Sequence, residues 1–441
     1  MPIAAVCAIL RICYAPAMTK RDAIGSERAM IARRHVFHIG GYDPISPDTQ
    51  LARFRKSLDT FQQTWGVTAS ASGTPDAREV SASWPARASG PNWQTDITYE
   101  MLRWDDLINE DHSRGMLSRL GAAFLTLGNW LVTGTLFRFF YSSWKYAGFF
   151  LFSYLWIAAF AAAGAAVGTC LTWLLGLSGA AAWIVGAVAA AAVFTALLHY
   201  YGWRKPINHV FDDWIFSRQY VYGQRPKMKA RVDEFAKTLV ARAQKADVDE
   251  IVIIGHCLGA ALVMETVARA LKLDPELTAH GPTICVLTVS ATIPKFALHP
   301  AGSSVREASK LVADTPAVRW AEYHARDDVI SFYRFDPVTL KRVSRDRSDG
   351  RPNIRRIQMH DMMGMDQFKR YRFSFMRIHY QMVMGNQQRA PYDYCMILCG
   401  PLPFDEITAV GGGVTRFGAD GALLARGNSS QPQAGASVNA A

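Results

Sequence analysis

Residues 251–271 read IVIIGHCLGAALVMETVARAL, and the rest of the chain is best understood outward from them. Ile251, Val252, Ile253 and Ile254 form a short, wholly apolar, β-branched run, the pattern of a parallel strand buried on both faces. Beyond Cys257, apolar Val263, Val267, Ala270 and Leu271 recur at helical spacing. Between strand and helix stands Gly255-His256-Cys257-Leu258-Gly259, a pattern in which two small residues flank a central reactive side chain. In such a turn the central backbone is strained, and bulk at either glycine would collide with the neighbouring strand or helix. Cys257 then stands at a helix N-terminus, where free N–H groups favour negative charge. The plainer alternative is a buried structural cysteine in an ordinary strand–turn–helix. His256 reads as part of the turn's packing, since adjacent residues there point different ways.

GHCLG resembles the strand–turn–helix of the α/β-hydrolase superfamily, whose commonest version reads GHSLG, with sulfur replacing oxygen at Cys257. Cysteine nucleophiles also occur in that superfamily, in dienelactone hydrolases. The resemblance implies an α/β fold with a doubly wound, mainly parallel sheet, covering about residues 31–115 and 216–405. It also implies a base and an acid that follow the nucleophile in the order acid, then histidine. Asp328 is the first candidate acid, just past the strand around residues 318–323, with Asp327 beside it as the alternative. Either could instead be a turn or helix-capping residue. The histidines that follow are His360, in a polar, Met-rich loop, and His379, in the aromatic segment RFSFMRIHYQMVMG, and His379 is preferred. A structural role for it within the aromatic cluster is the other reading. Near the N-terminus HVFHIGGYDPISP runs from a strand into Gly40, Gly41 and Tyr42. In a hydrolase fold this loop shares the oxyanion hole with the N–H after the nucleophile, here Leu258. A plain strand-to-helix turn is the alternative.

The 58 residues between Lys145 and Arg204 contain no Asp, Glu, Lys or Arg. At about 20 residues per crossing this is enough for two membrane helices, expected near 149–174 and 180–201 around a Gly-Leu-Ser-Gly turn. Trp144, Tyr146, Tyr200, Tyr201 and Trp203 gather at one end, as interfacial belts do. Arg138, Lys145, Arg204 and Lys205 flank that end, so the positive-inside rule puts both termini in the cytoplasm, with the protein in the inner membrane. Residues 119–144 are apolar but carry Arg119 and Arg138, the pattern of an interfacial lead-in. Membrane lipids are therefore expected partners.

The net charge of +11 and pI near 9.3 raise the question of nucleic acid. No helix-turn-helix, zinc-finger or RNA-binding pattern accompanies them, and the membrane explains the charge better. Thirteen Lys/Arg against seven Asp between residues 326 and 377 give a basic surface suited to solvent or to anionic headgroups. The seven cysteines are odd in number and scattered, which suits reduced thiols and no disulfide frame. There is no metal-ligand spacing, P-loop or dinucleotide fingerprint, so the expected chemistry needs no cofactor and no metal.

The expected organisation is an N-terminal extension over 1–30 without a signal peptide, and a first hydrolase-like part over 31–115. Residues 116–215 hold the lead-in and hairpin, 216–405 the second part, and 406–441 a disordered tail rich in Gly, Ala and Ser. Helices are expected over 51–65 and 228–246, strands over 95–103 and 282–290, and loop around one short strand over 70–91. The function expected is hydrolysis of a small acyl ester or thioester, lipid-like, by a Cys257-His379-Asp328 triad. The competing reading is a catalytically silent scaffold that binds protein at the membrane.

Overall fold

In the computed structural model, which describes residues 30–425 apart from 203, 205 and 349, the chain on either side of the hairpin joins in one nine-stranded sheet. Its strands are β1 (Arg33–Ile39), β2 (Thr68–Ala71), β3 (Asp76–Ala77), β4 (Ser81–Gly90), β5 (Trp93–Leu102), β6 (Glu250–His256), β7 (Thr283–Val289), β8 (Arg319–Ala325) and β9 (Asn353–Ile357). The spatial order is β2-β4-β5-β1-β6-β7-β8-β9, with β3 against β4. Along the order β5-β1-β6-β7-β8-β9 every pair is parallel, and the pairs β2–β4, β3–β4 and β4–β5 are antiparallel. Every residue of β6 is buried, as a strand covered on both faces requires. One face packs against Leu51, Phe54 and Leu58 of the helix Pro47–Trp65. The other packs against Val232 and Phe235 of the helix Pro226–Ala243 and Val263 and Val267 of the helix Gly259–Leu273. The result is an α/β architecture with a mainly parallel sheet.

Both hairpin helices, Trp144–Leu174 and Gly179–Tyr201, are long and apolar enough to cross a membrane. The first starts five residues before the expected 149. Its 31 residues span roughly 46 Å at 1.5 Å per residue, more than the ~30 Å of hydrocarbon. Its base is spent on the globular part: Tyr146 and Phe150 are buried with Trp130, Phe139, Trp214 and Phe332. The flanking cations also have local jobs, for Lys145 Nζ donates to Arg326 O (3.2 Å) and Arg138 to Leu298 O (3.0 Å). Ahead of the hairpin, helices Met116–Val132 and Thr135–Ser142 meet at a 75° bend at Thr133-Gly134. Arg119 pairs with buried Asp212 (3.0 Å), and Ala123, Thr126 and Trp130 turn inward. Leu117, Phe124, Leu125, Leu131 and Val132 are exposed.

Two expectations are corrected. Residues 70–91 are strands rather than loop, because Ala82, Trp84, Ala86 and Ala88 alternate inward along β4 at period two, a pattern that small side chains disguise. Pro85 sits at the end of the β2 pairing, where its carbonyl accepts from Ser72 N–H (3.1 Å) and the β2–β4 ladder goes no further. The expected tail is ordered through residue 425. Phe417 is buried edge-on against Trp65 (5.6 Å) and Trp93 (6.2 Å), and Trp93 Nε1 donates to Gly421 O (2.9 Å). Two aromatic sockets thus anchor a segment whose composition shows little hydrophobicity. Residues 426–441 and the extension 1–29, with Cys7 and Cys13, lie outside the described residues.

Candidate active site

β6 ends at His256, and the backbone turns through Cys257 at φ +55° before the helix Gly259–Leu273 begins. A left-handed conformation at a non-glycine residue costs of order 1–3 kcal/mol and persists only where the surroundings over-determine it. Here Cys257 N–H donates to Val289 O (3.2 Å), while Cys257 O accepts from Thr292 N (3.1 Å) and Ala260 N (3.2 Å). None of these bonds uses Leu258 N–H, at the start of the helix's unpaired first turn. Both flanking glycines are steric necessities. A Cβ at Gly255 would lie 2.4 Å from Ala260 Cα, and one at Gly259 would lie 2.2 Å from Ile39 O. A Cβ at Gly41 would lie 2.8 Å from Cys257 Cβ, so the loop after β1 rests directly on the turn.

Asp328 and His379, distant in sequence, meet beside this turn: His379 Nδ1–H donates to Asp328 Oδ2 at 2.9 Å. Asp328 lies three residues past β8, and His379 comes from the helix Phe375–Gln381. Asp328 Oδ1 also accepts from Ile330 N–H (3.0 Å). Burial pushes the Asp328 carboxyl up, but His379, Ser290 and the Ile330 N–H together hold it below its ordinary value. Burial likewise pushes His379 down, yet the Asp328 carboxylate and the adjacent Cys257 outweigh it and raise the ring to about 10. His379 Nε2 is buried without a hydrogen-bond partner. With Nδ1 committed to Asp328, it is the nitrogen free for chemistry. Cys257, His379 and Gly41 line one space of about 40 Å³.

The other expected residues have different surroundings. Asp327 Oδ2 accepts from Met359 N–H (3.2 Å), capping the helix Met359–Met363. His360 is partly exposed and pairs with Asp361 (3.2 Å), outside the space around Cys257. Tyr42 contributes backbone to the loop, but its side chain is buried against Trp104 and Phe216 and its hydroxyl donates to Asp111 (2.8 Å). His256 packs its ring 4.6 Å from that of His379, and burial holds its pKa well below the ordinary value, so it is neutral.

Sequence reading missed a second layer around the thiol. His209 and Asp213, from the helix Ile207–Val221, line its space together with Phe149 of the first hairpin helix. Lys295, only 2% exposed, donates to Asp213 (2.5 Å) and lies 4.2 Å from the centre of the Trp214 ring. Nothing in local sequence links residues 149, 213 and 295, because the sheet and the hairpin's base bring them together. Among the described residues no His, Cys, Asp and Glu cluster could hold a metal ion.

Compared with family models, with curated proteins and with solved structures, the chain matches none.

Proposed function

We propose that this protein is a membrane-anchored hydrolase of carboxylic esters or thioesters, α/β-hydrolase-like in design, with Cys257 as nucleophile. One observation carries the reading: a cysteine held at φ +55° between two obligatory glycines shares its space with a histidine whose far nitrogen is bonded to a buried aspartate. Strain of this kind, beside a perturbed acid–base pair, is characteristic of reactive turns.

In the first half-reaction Cys257 Sγ, its proton held by His379 Nε2, adds to the substrate carbonyl carbon. The carbonyl oxygen takes up negative charge and is received by Leu258 N–H and the backbone around Gly41. As the intermediate collapses, the bond from carbon to the leaving oxygen or sulfur breaks and His379 returns its proton to the leaving group. A thioacyl-enzyme remains. Water then attacks it, His379 takes the water's proton, the C–S bond breaks, and the carboxylic acid and Cys257 are released. Asp328 fixes the His379 tautomer and balances the imidazolium.

In this reading the hairpin holds the chemistry at a lipid surface, and the basic flanks Arg138, Lys145 and Arg204 favour, by the positive-inside rule, the cytoplasmic side of the inner membrane for the domain. The exposed apolar face of residues 116–142 lies in the interface. The deciding experiment is labelling of the full-length, membrane-inserted protein by an activity-based probe for cysteine and serine hydrolases. Labelling lost in Cys257→Ala, and slowed at least tenfold in His379→Ala but not in His360→Ala, supports the reading. Absence of labelling in folded protein would sink it and leave a non-catalytic scaffold.

A further inference from the structure

Next to the thiol's own space lies a larger cavity of about 240 Å³. The two share Gly41, His256, Met376 and Tyr380, so the cavity adjoins the space at Cys257. Its walls are largely apolar, with Ile45, Phe54, Met101, Trp104, Val383 and Met384 among them.

Two polar groups in these walls stand out, one cation without a carboxylate and one buried nitrogen without a partner. Arg377, two residues before His379 on the same helix, is half-buried, and burial lowers its pKa. It donates to the neutral Gln381 Oε1 (2.9 Å) and to Met384 Sδ (3.3 Å) and lies 5.7 Å from the centre of the Tyr371 ring, and it pairs with no carboxylate among the described residues. Arg53, on the same cavity, has Asp43 at 4.0 Å. His38 is 5% exposed, and burial lowers its pKa to about 4, so the ring is neutral with a single N–H. Its Nδ1 contacts the Tyr99 hydroxyl and also Gln50 Nε2 (3.2 Å), a group that can only donate and so favours the proton on Nε2, and Nε2 is buried with no partner. A buried donor without an acceptor is unfavourable unless something that visits the site completes it.

We propose that this cavity takes the acyl part of the substrate and that the acyl chain ends in a carboxylate, bound by Arg377 with His38 Nε2–H as a further donor. The inference rests on Cys257 acting as the hydrolase reading has it. A guanidinium without an acid matches a carboxylate in charge and in its two-pronged geometry. The apolar walls suit a methylene spacer. The volume falls below the roughly 300–1,000 Å³ of drug-sized ligand sites, so the spacer is short and a long lipid tail does not fit.

Two matched esters test this on the full-length protein in detergent: the phenyl ester of hexanoic acid and the phenyl half-ester of adipic acid. The half-ester is expected to have at least tenfold higher kcat/KM. Arg377→Gln should bring the ratio near one, Arg377→Lys should restore part of it, and His38→Phe should lower it severalfold. A second arm does not depend on turnover. Cys257→Ala protein should bind adipic acid monoamide at least tenfold more tightly than hexanamide. If the esters are not turned over but this preference holds, the hydrolase reading fails and the cavity assignment stands. Equal binding of the two amides overturns the assignment even in an active enzyme, as does glycerol phosphate binding more tightly than the monoamide, which would make the site one for a lipid headgroup.

Discussion

The turn around Cys257 and the apolar helical hairpin both bring backbones together through glycine, for different ends. In the turn, Cβ atoms at Gly255 and Gly259 would strike Ala260 Cα at 2.4 Å and Ile39 O at 2.2 Å. In the hairpin, Cβ atoms at Gly164 and Gly168 would strike Ala190 O at 2.5 Å and Gly186 O at 2.4 Å. The clashes are equally severe on paper. In the turn the struck atoms belong to a nine-stranded sheet and the helix that follows it, with no room to move. In the hairpin they belong to two helices that can slide apart, and across a membrane their close contact would gain packing but no hydrophobic driving force. Glycine therefore fixes a conformation at the site and merely tightens an association between the hairpin helices.

That difference predicts a ranked set of outcomes. Gly259→Ala should have the largest effect, with stability falling by about 3 kcal/mol or more because neither the sheet nor the helix can yield. Chemical denaturation in detergent would measure it, and a loss under about 1 kcal/mol would show that the turn is softer than the geometry says. Gly41→Ala should come next, with turnover lowered roughly 100-fold while folding is largely kept, since displacement of a reacting group by about 1 Å is worth that much. Equal losses of turnover and stability would mean that Gly41 only supports the fold.

Charge sharpens the contrast, because the site has a buried ion pair and the hairpin core has none. His379 is raised, so its share of stability is complete below the unfolded value of about 6.5 and is lost as pH rises through about 10. Asp328 is lowered, so its share is complete above the unfolded value of about 3.9 and is lost as pH falls through its depressed folded value. The Tm difference between the parent and the double variant His379→Gln/Asp328→Asn should thus be greatest between about pH 4 and 6.5. A difference that did not vary with pH would remove the ion pair. The smallest effect belongs to Gly168→Val, expected to weaken hairpin association by about 1 kcal/mol with the Asp328–His379 geometry untouched. Disulfide cross-linking between cysteines placed on the two helices reads it out.

Much of this protein was legible in one dimension. The apolar run before Cys257 marked a fully buried parallel strand, and the 58 residues without charge marked the hairpin. Both signals are local: one strand or one helix must satisfy its own surroundings, and its composition records that. Asp328 and His379 could be nominated from chain order, but only the sheet chose Asp328 over Asp327, by turning one carboxylate to the imidazole and the other to the Met359 N–H. Folding also decided what composition hid. Small alternating residues became the long β4, a Gly-rich tail became a packed segment through Phe417, and Arg377 and His38 met in one cavity. Adjacent residues share a local environment that sequence specifies. Residues from β1, the loop after β8 and a C-terminal helix share one only after the parallel sheet has set their spacing and direction.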